Sequence, residues 1–91
     1  MISNFLLGNL RITEAAQMRL KRIPYDLIAR HAINEHGNLT AREVDRNKQN
    51  MKTIGEIMSR YRIDPTDASL GNVVVVTHAT WDETLVKLES E

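Results

Sequence analysis

The sequence predicts a single α+β domain: a short N-terminal strand, three helices, then an antiparallel three-stranded meander with the helices packed on one face. Three observations carry this. Apolar residues recur with a helical period as far as residue 54, then with a period of two from Gly55 onward. A Thr-x-x-Glu capping box, Thr40 and Glu43, opens the longest helical stretch. Val73-Val74-Val75-Val76 is β-branched throughout, as suits a central strand buried on both faces.

Each element has its own local reason. Residues 5–12 read as a strand, with Leu6, Gly8, Leu10 and Ile12 on one face and Asn9 and Arg11 on the other. Thr13 is placed to cap a helix over 14–22, with Glu14 favourable in its first turn. Ala16, Leu20 and Ile23 form its apolar stripe, and Pro24 ends it or opens the next. The second helix spans 25–36, with Leu27, Ile28, His31, Ala32 and Glu35 on one stripe and Gly37 as the residue past its end. The third spans 41–53, with Val44, Asn47, Met51 and Ile54 inward and Arg42, Arg46, Lys48 and Lys52 on the polar side. The next strand points Ile57, Ser59, Tyr61 and Ile63 one way, and Glu56, Arg60 and Arg62 the other. Asp64-Pro65-Thr66-Asp67 and Gly71-Asn72 are turn chemistry. The end fits a helix through Trp81, Leu85 and Leu88, with Thr80 and Glu83 as a second capping box. It fits a strand through Thr84, Val86 and Leu88 equally well. A third strand after a turn at 79–83 is preferred, because two-stranded sheets are marginal.

Composition narrows the function classes. The 91 residues make one domain, and there is no cysteine for disulfides or thiolate metal sites. Apolar content of 42% and charged content of 26% suit a folded chain rather than a disordered one. No apolar stretch of about 20 residues is present to span a membrane. Met1–Leu7 lacks the basic flank and length of a secretory leader, so a cytoplasmic setting is expected. The net charge of zero hides an asymmetry. Residues 1–62 carry eleven Lys and Arg against six acids, and residues 63–91 carry one Lys against six acids.

Candidate functional residues fall into three groups. His31, Asn47 and Ser59 are polar residues on apolar faces, and a buried polar group without a partner costs roughly 1–3 kcal/mol. They are expected to form a hydrogen-bonded core network in which His31 and Asn47 bond each other or nearby backbone. Asp64, Asp67, Asp82 and Glu83 could present carboxylates to a basic partner. Arg42, Arg46, Lys48, Lys52, Arg60 and Arg62 could contact nucleic acid, although the chain has few aromatics for stacking bases. His31 and His36 are five residues apart, which on a helix turns them about 140° from each other, so they do not match the paired histidines of zinc proteases. No glycine-rich phosphate loop is present, and Ser3, Ser59, Ser69 and Ser90 have no evident base. No cofactor, metal or catalytic set is implied.

Residues spread over nearly the whole chain resemble a known family. These are Leu7-Gly8, Thr13, Ala16, Leu20, Arg30-His31, Gly37, Leu39, Glu43, Asn47, Ser59-Arg60-Tyr61, Val73 to Thr77 and Thr84. The chain is similar to small uncharacterised proteins of plasmids, conjugative elements and prophages of Gram-negative bacteria. These are often labelled plasmid-related proteins and sometimes restriction–modification subunits. It departs from them at Asn34-Glu35-His36-Gly37, where the family has Gly-Asp-Trp-Gly, and at Ala79–Glu83, where it has an Asp-Arg-Ser turn. The resemblance implies a mobile-element setting and a strand at the C-terminal end, and brings no activity with it. The leading expectation is a non-enzymatic module that binds a host or element protein, for example to block a defence system. The alternatives are a nucleic-acid-binding accessory protein and a small toxin-type nuclease using Arg60, Arg62 and His78. A homodimer through an exposed strand edge is compatible with each.

Overall fold

A computed structural model describes residues 5–91. The readings of Met1–Asn4 as part of no secretory leader, and of Ser3, lie outside the described residues. In chain order the elements are β1 (Asn9–Ile12), α1 (Glu14–Leu20), α2 (Tyr25–Ala32), α3 (Ala41–Thr53), β2 (Ile57–Arg62), β3 (Asn72–Thr77) and β4 (Glu83–Leu88). A short 3₁₀ turn, Ala68–Leu70, precedes β3. The sheet has four strands in the order β1-β4-β3-β2. The meander β2-β3-β4 is antiparallel, and β1 joins the far side of β4 in parallel. The α+β class and element order are as the sequence predicts, with the first strand shortened to four residues and inserted into the same sheet.

The helices end where local chemistry ends them. Thr13 caps α1 by accepting from the Ala16 N–H, and Lys21 closes it in the left-handed region at φ 58°. The Thr40–Glu43 capping box forms in both directions. The helix expected over 25–36 stops at Ala32. Asn34 takes φ 65° and swings the chain out of the helical path. Gly37 is therefore no helix terminator. It lies in a short parallel bridge against Arg60 of β2. The end of the chain is strand, and Thr80 and Trp81 are turn residues at positive φ, so no capping box forms there.

Strand parity builds the core. Ile57, Ser59 and Tyr61 face inward with Val73, Val75, Thr77, Thr84, Val86 and Leu88, and all are buried. Ala16, Leu27 and Ile28 pack on them from α1 and α2. Each fully buried valine or leucine contributes roughly 1.5–3 kcal/mol. Val74 and Val76 point away from the helices yet keep only 5% and 8% exposure. The valine run is thus buried on both faces, but among the described residues no second layer covers the outer one. Met58, Arg60, Leu85 and Lys87 line the same helix-free face beside these two valines.

The two edges of the sheet are treated differently. At β2 the Asn47 side chain acts as a piece of missing strand. Its Nδ2 donates to the Met58 carbonyl at 2.8 Å, and its Oδ1 accepts from the Met58 N–H at 3.0 Å. Two residues on, the Arg60 N–H donates to the His36 carbonyl and the Asn38 N–H donates to the Arg60 carbonyl. Two residues back, Asn50 donates to the Glu56 carbonyl. These contacts satisfy backbone groups that would otherwise invite another strand. At β1, Asn9 and Thr13 donate to the Asp82 and Val86 carbonyls of the β4 segment. By alternation, the N–H and C=O of Leu10 and Ile12 then point outward, along a strand whose first three residues are exposed.

Candidate functional site

The most concentrated chemistry is a line of polar side chains through the core. His31 Nδ1 lies 2.5 Å from Ser59 Oγ, and His31 Nε2 lies 2.9 Å from Thr77 Oγ1. Thr77 Oγ1 is 2.6 Å from Thr84 Oγ1, which donates to the Leu7 carbonyl at 2.6 Å. On the other side His36 Nδ1 reaches Ser59 Oγ at 2.6 Å, and its Nε2 faces Asn34 Oδ1 at 3.1 Å. Phe5 packs edge-on to the His31 ring, and the two imidazoles meet edge to face at 5.6 Å. His31, Ser59, Thr77 and Thr84 have no exposed surface.

Proton counting gives this line one direction. A carbonyl only accepts and a hydroxyl has one proton. Thr84 therefore gives its proton to Leu7, Thr77 gives its own to Thr84, and the His31 Nε2–H donates to Thr77. Neutral His31 then accepts at Nδ1 from Ser59, and Ser59 accepts from the His36 Nδ1–H. A proton enters without breaking any of these bonds only at His36 Nε2, where it would donate to Asn34. Burial, together with the neighbouring His36, pulls His31 down to about 3, and burial lowers His36 as well.

The sign of the resulting pH dependence follows. Above the ordinary histidine value both states are neutral and stability is complete. Below it the unfolded chain binds a proton that folded His31 refuses, so stability falls until about pH 3. Lowering the pH from 7 to 5 should cost about 2 kcal/mol through His31 alone, at about 1.4 kcal/mol per pH unit below 6.5. His36 adds to the loss in the same direction. Urea melts at pH 7, 6 and 5 measure it, and a flat profile would refute neutral burial of His31.

The expected core residues are thus buried and bonded, with His31 and Asn47 not bonded to each other. Asn47 seals the β2 edge, whereas His31 bonds Ser59 and Thr77. Ser59, which lacked an evident base in the sequence, has two imidazoles on its oxygen. It is no accessible nucleophile, because it has no exposed surface. His36, Thr77 and Thr84 were missed by sequence reasoning. The two threonines could have been found by parity, since both fall on inward positions of their strands. His36 could not, because the 140° argument assumes a helix that the chain leaves after Ala32.

The charged candidates are dispersed. Asp64 and Asp67 lie between β2 and β3, and Asp82 and Glu83 lie at the β3–β4 turn, at opposite ends of the sheet. Six-residue strands separate them by about 20 Å. Asp64 accepts from Thr66 and Asp67 from Ser69, while Glu83 faces Arg11 and His78. Arg60 is not on offer to phosphate. It makes a two-pronged pair with Glu43 at 2.8 Å, donates to Glu89, and reaches the Asn38 carbonyl. That guanidinium holds Glu43 down to about 2. Arg42, Arg46, Lys48 and Lys52 fall on two rows of α3, interleaved with Asp45 and Gln49. Arg62 lies at the opposite end of the sheet from His78, so the triplet expected of a nuclease does not converge.

Among the described residues no group of three His, Asp or Glu is placed to hold a metal ion. Nor is any of their helices long and apolar enough to cross a membrane. No family model matches the chain, and no curated protein or solved structure is significantly similar to it.

Proposed function

We propose that the chain is a non-enzymatic protein-binding module of a mobile genetic element, working in the cytoplasm, that takes up an extended segment of its partner along the free edge of β1. The contrast between the two sheet edges supports this most. One edge is closed by Asn47, Asn50 and the 36–38 segment, and the other leaves Leu10 and Ile12 backbone groups directed outward. A strand added there gains a ladder of backbone bonds without rearranging the fold. The Leu10 side chain, 47% exposed on the helix side of β1, offers an apolar contact for a residue of the incoming strand. The non-enzymatic part of the reading rests on the sealed hydroxyl–imidazole line.

Leu10→Pro tests the proposal, because it removes an outward N–H and leaves the β1–β4 bonds in place. The folded state should lose no more than about 1 kcal/mol. Capture from host lysate should lose its specific partners with Leu10→Pro and keep them with Leu10→Ala. Unchanged capture by Leu10→Pro, or repeated absence of any partner of the parent chain, would overturn the proposal. A concentration-dependent dimer abolished by Leu10→Pro would also overturn it, making the occupant of the edge a second copy.

A further inference from the structure

A cavity of about 420 Å³ lies where the Arg62 end of β2 meets α2 and the 37–38 segment. Three guanidinium groups line it, from Arg22, Arg30 and Arg62, with Asp26 as the one carboxylate in the lining. Two of the three are held in place. Asp26 grips Arg22 through both carboxylate oxygens, at 2.5 and 3.4 Å. The Arg30 guanidinium sits 4.8 Å from the centre of the Tyr61 ring, and Glu35 is 3.9 Å from it. Tyr61 is fixed in turn by its hydroxyl, which donates to the Glu35 carbonyl at 2.6 Å. Arg62 and the Asn38 side-chain amide have no hydrogen bond or ion pair among the described residues, and both face the same cavity.

We infer that this cavity binds a phosphate monoester of about nucleotide size. Three arginines, with Asp26 in the lining and Glu35 beside Arg30, leave a net positive charge, and Arg62 is the guanidinium that no carboxylate pairs. A phosphate monoester, at about −1.5 to −2 at neutral pH, brings more charge to it than a carboxylate or a phosphodiester. Guanidinium forks suit the oxygens of phosphate, and positions fixed beforehand reduce the ordering cost of binding. The volume falls within the roughly 300–1,000 Å³ of small-molecule sites and exceeds what a bare phosphate fills. The site is separate from the β1 edge, so Leu10→Pro should leave it unaffected.

The test is a titration of the full chain, followed by amide chemical shifts, with inorganic phosphate, adenosine 5′-monophosphate and a single-stranded 12-mer DNA in parallel. The nucleotide should saturate with a Kd of roughly 0.1–1 mM, with shifts centred on Arg30, Asn38 and Arg62. Inorganic phosphate should compete for the same shifts. Arg62→Ala should weaken binding about tenfold with no change in melting temperature, since Arg62 holds nothing in the fold. Arg30→Ala should weaken it as well. Absence of saturable shifts, shifts centred on Lys48 and Lys52, or an Arg62→Ala variant that binds equally well would overturn the inference. Tighter binding of the DNA, falling steeply with salt, would overturn it in favour of a nucleic-acid backbone.

Discussion

Replacing His31 by alanine is expected to cost about 4 kcal/mol, which for a domain of this size lowers the melting temperature by roughly 20 °C. Two losses add. The imidazole is fully buried against Phe5, and its removal leaves a cavity comparable to that of a truncated aromatic side chain. Thr77 then loses its donor in a site that water does not reach, and Ser59 can turn its proton only to His36, which must change tautomer. Ser59→Ala should cost less, about 1–2 kcal/mol, because it removes only the hydroxyl between the two rings. Chemical denaturation of the two variants beside the parent chain checks both values. A His31→Ala variant that kept its melting temperature while losing a biological effect would refute the structural role and return His31 to the list of functional groups.

That ranking also shows what the residues alone could convey. Parity along β2 is a local property, so the inward position of Ser59 was legible. The Thr40–Glu43 box is likewise a four-residue signal, and it formed as written. The run of four valines was read as central strand for the same reason, since β-branched side chains suit a pleated surface. What was not legible depends on contacts between distant segments. Nothing in the period of residues 9–12 says that they pair in parallel with a strand more than seventy residues on. Nothing in Arg60 says that Glu43 and Glu89 converge on it from a helix and from the end of β4. The surplus of acids in residues 63–91 likewise said nothing about place, because the two acidic turns fall at opposite ends of the strands. The end of α2 is the most consequential case. Helical periodicity continues on paper to Glu35, but the chain leaves the helix at Asn34 to reach the β2 edge. That departure turns His36 back towards His31 and completes the polar line.

Replacing Gly37 by alanine should cost about 3–4 kcal/mol and open the closed edge of the sheet. Gly37 has φ 72°, where an L-residue with a Cβ pays roughly 1–2 kcal/mol. The larger part is contact. A Cβ would stand 2.2 Å from the Arg60 carbonyl oxygen and 2.7 Å from the Tyr61 ring. The first neighbour is backbone in the sheet and cannot turn aside, so the 36–38 segment must retreat. Retreat breaks the bond from the Arg60 N–H to His36 and the bond from Asn38 to the Arg60 carbonyl, each worth about 1 kcal/mol net. It also pulls the His36 ring from Ser59 and shifts the wall that holds Tyr61 under Arg30. Gly71→Ala is the matched control. Gly71 has φ 87° and ψ −163°, a backbone region essentially reserved for glycine, but a Cβ there meets nothing within 4 Å, so only the backbone term of roughly 1–3 kcal/mol applies. Hydrogen exchange should show the Arg60 amide losing protection in Gly37→Ala and keeping it in Gly71→Ala. The newly bare edge should also raise self-association at high concentration. An Arg60 amide that stays protected in Gly37→Ala would mean that the close approach of Gly37 to β2 contributes nothing, and that the sealing of this edge rests on Asn47 and Asn50 alone.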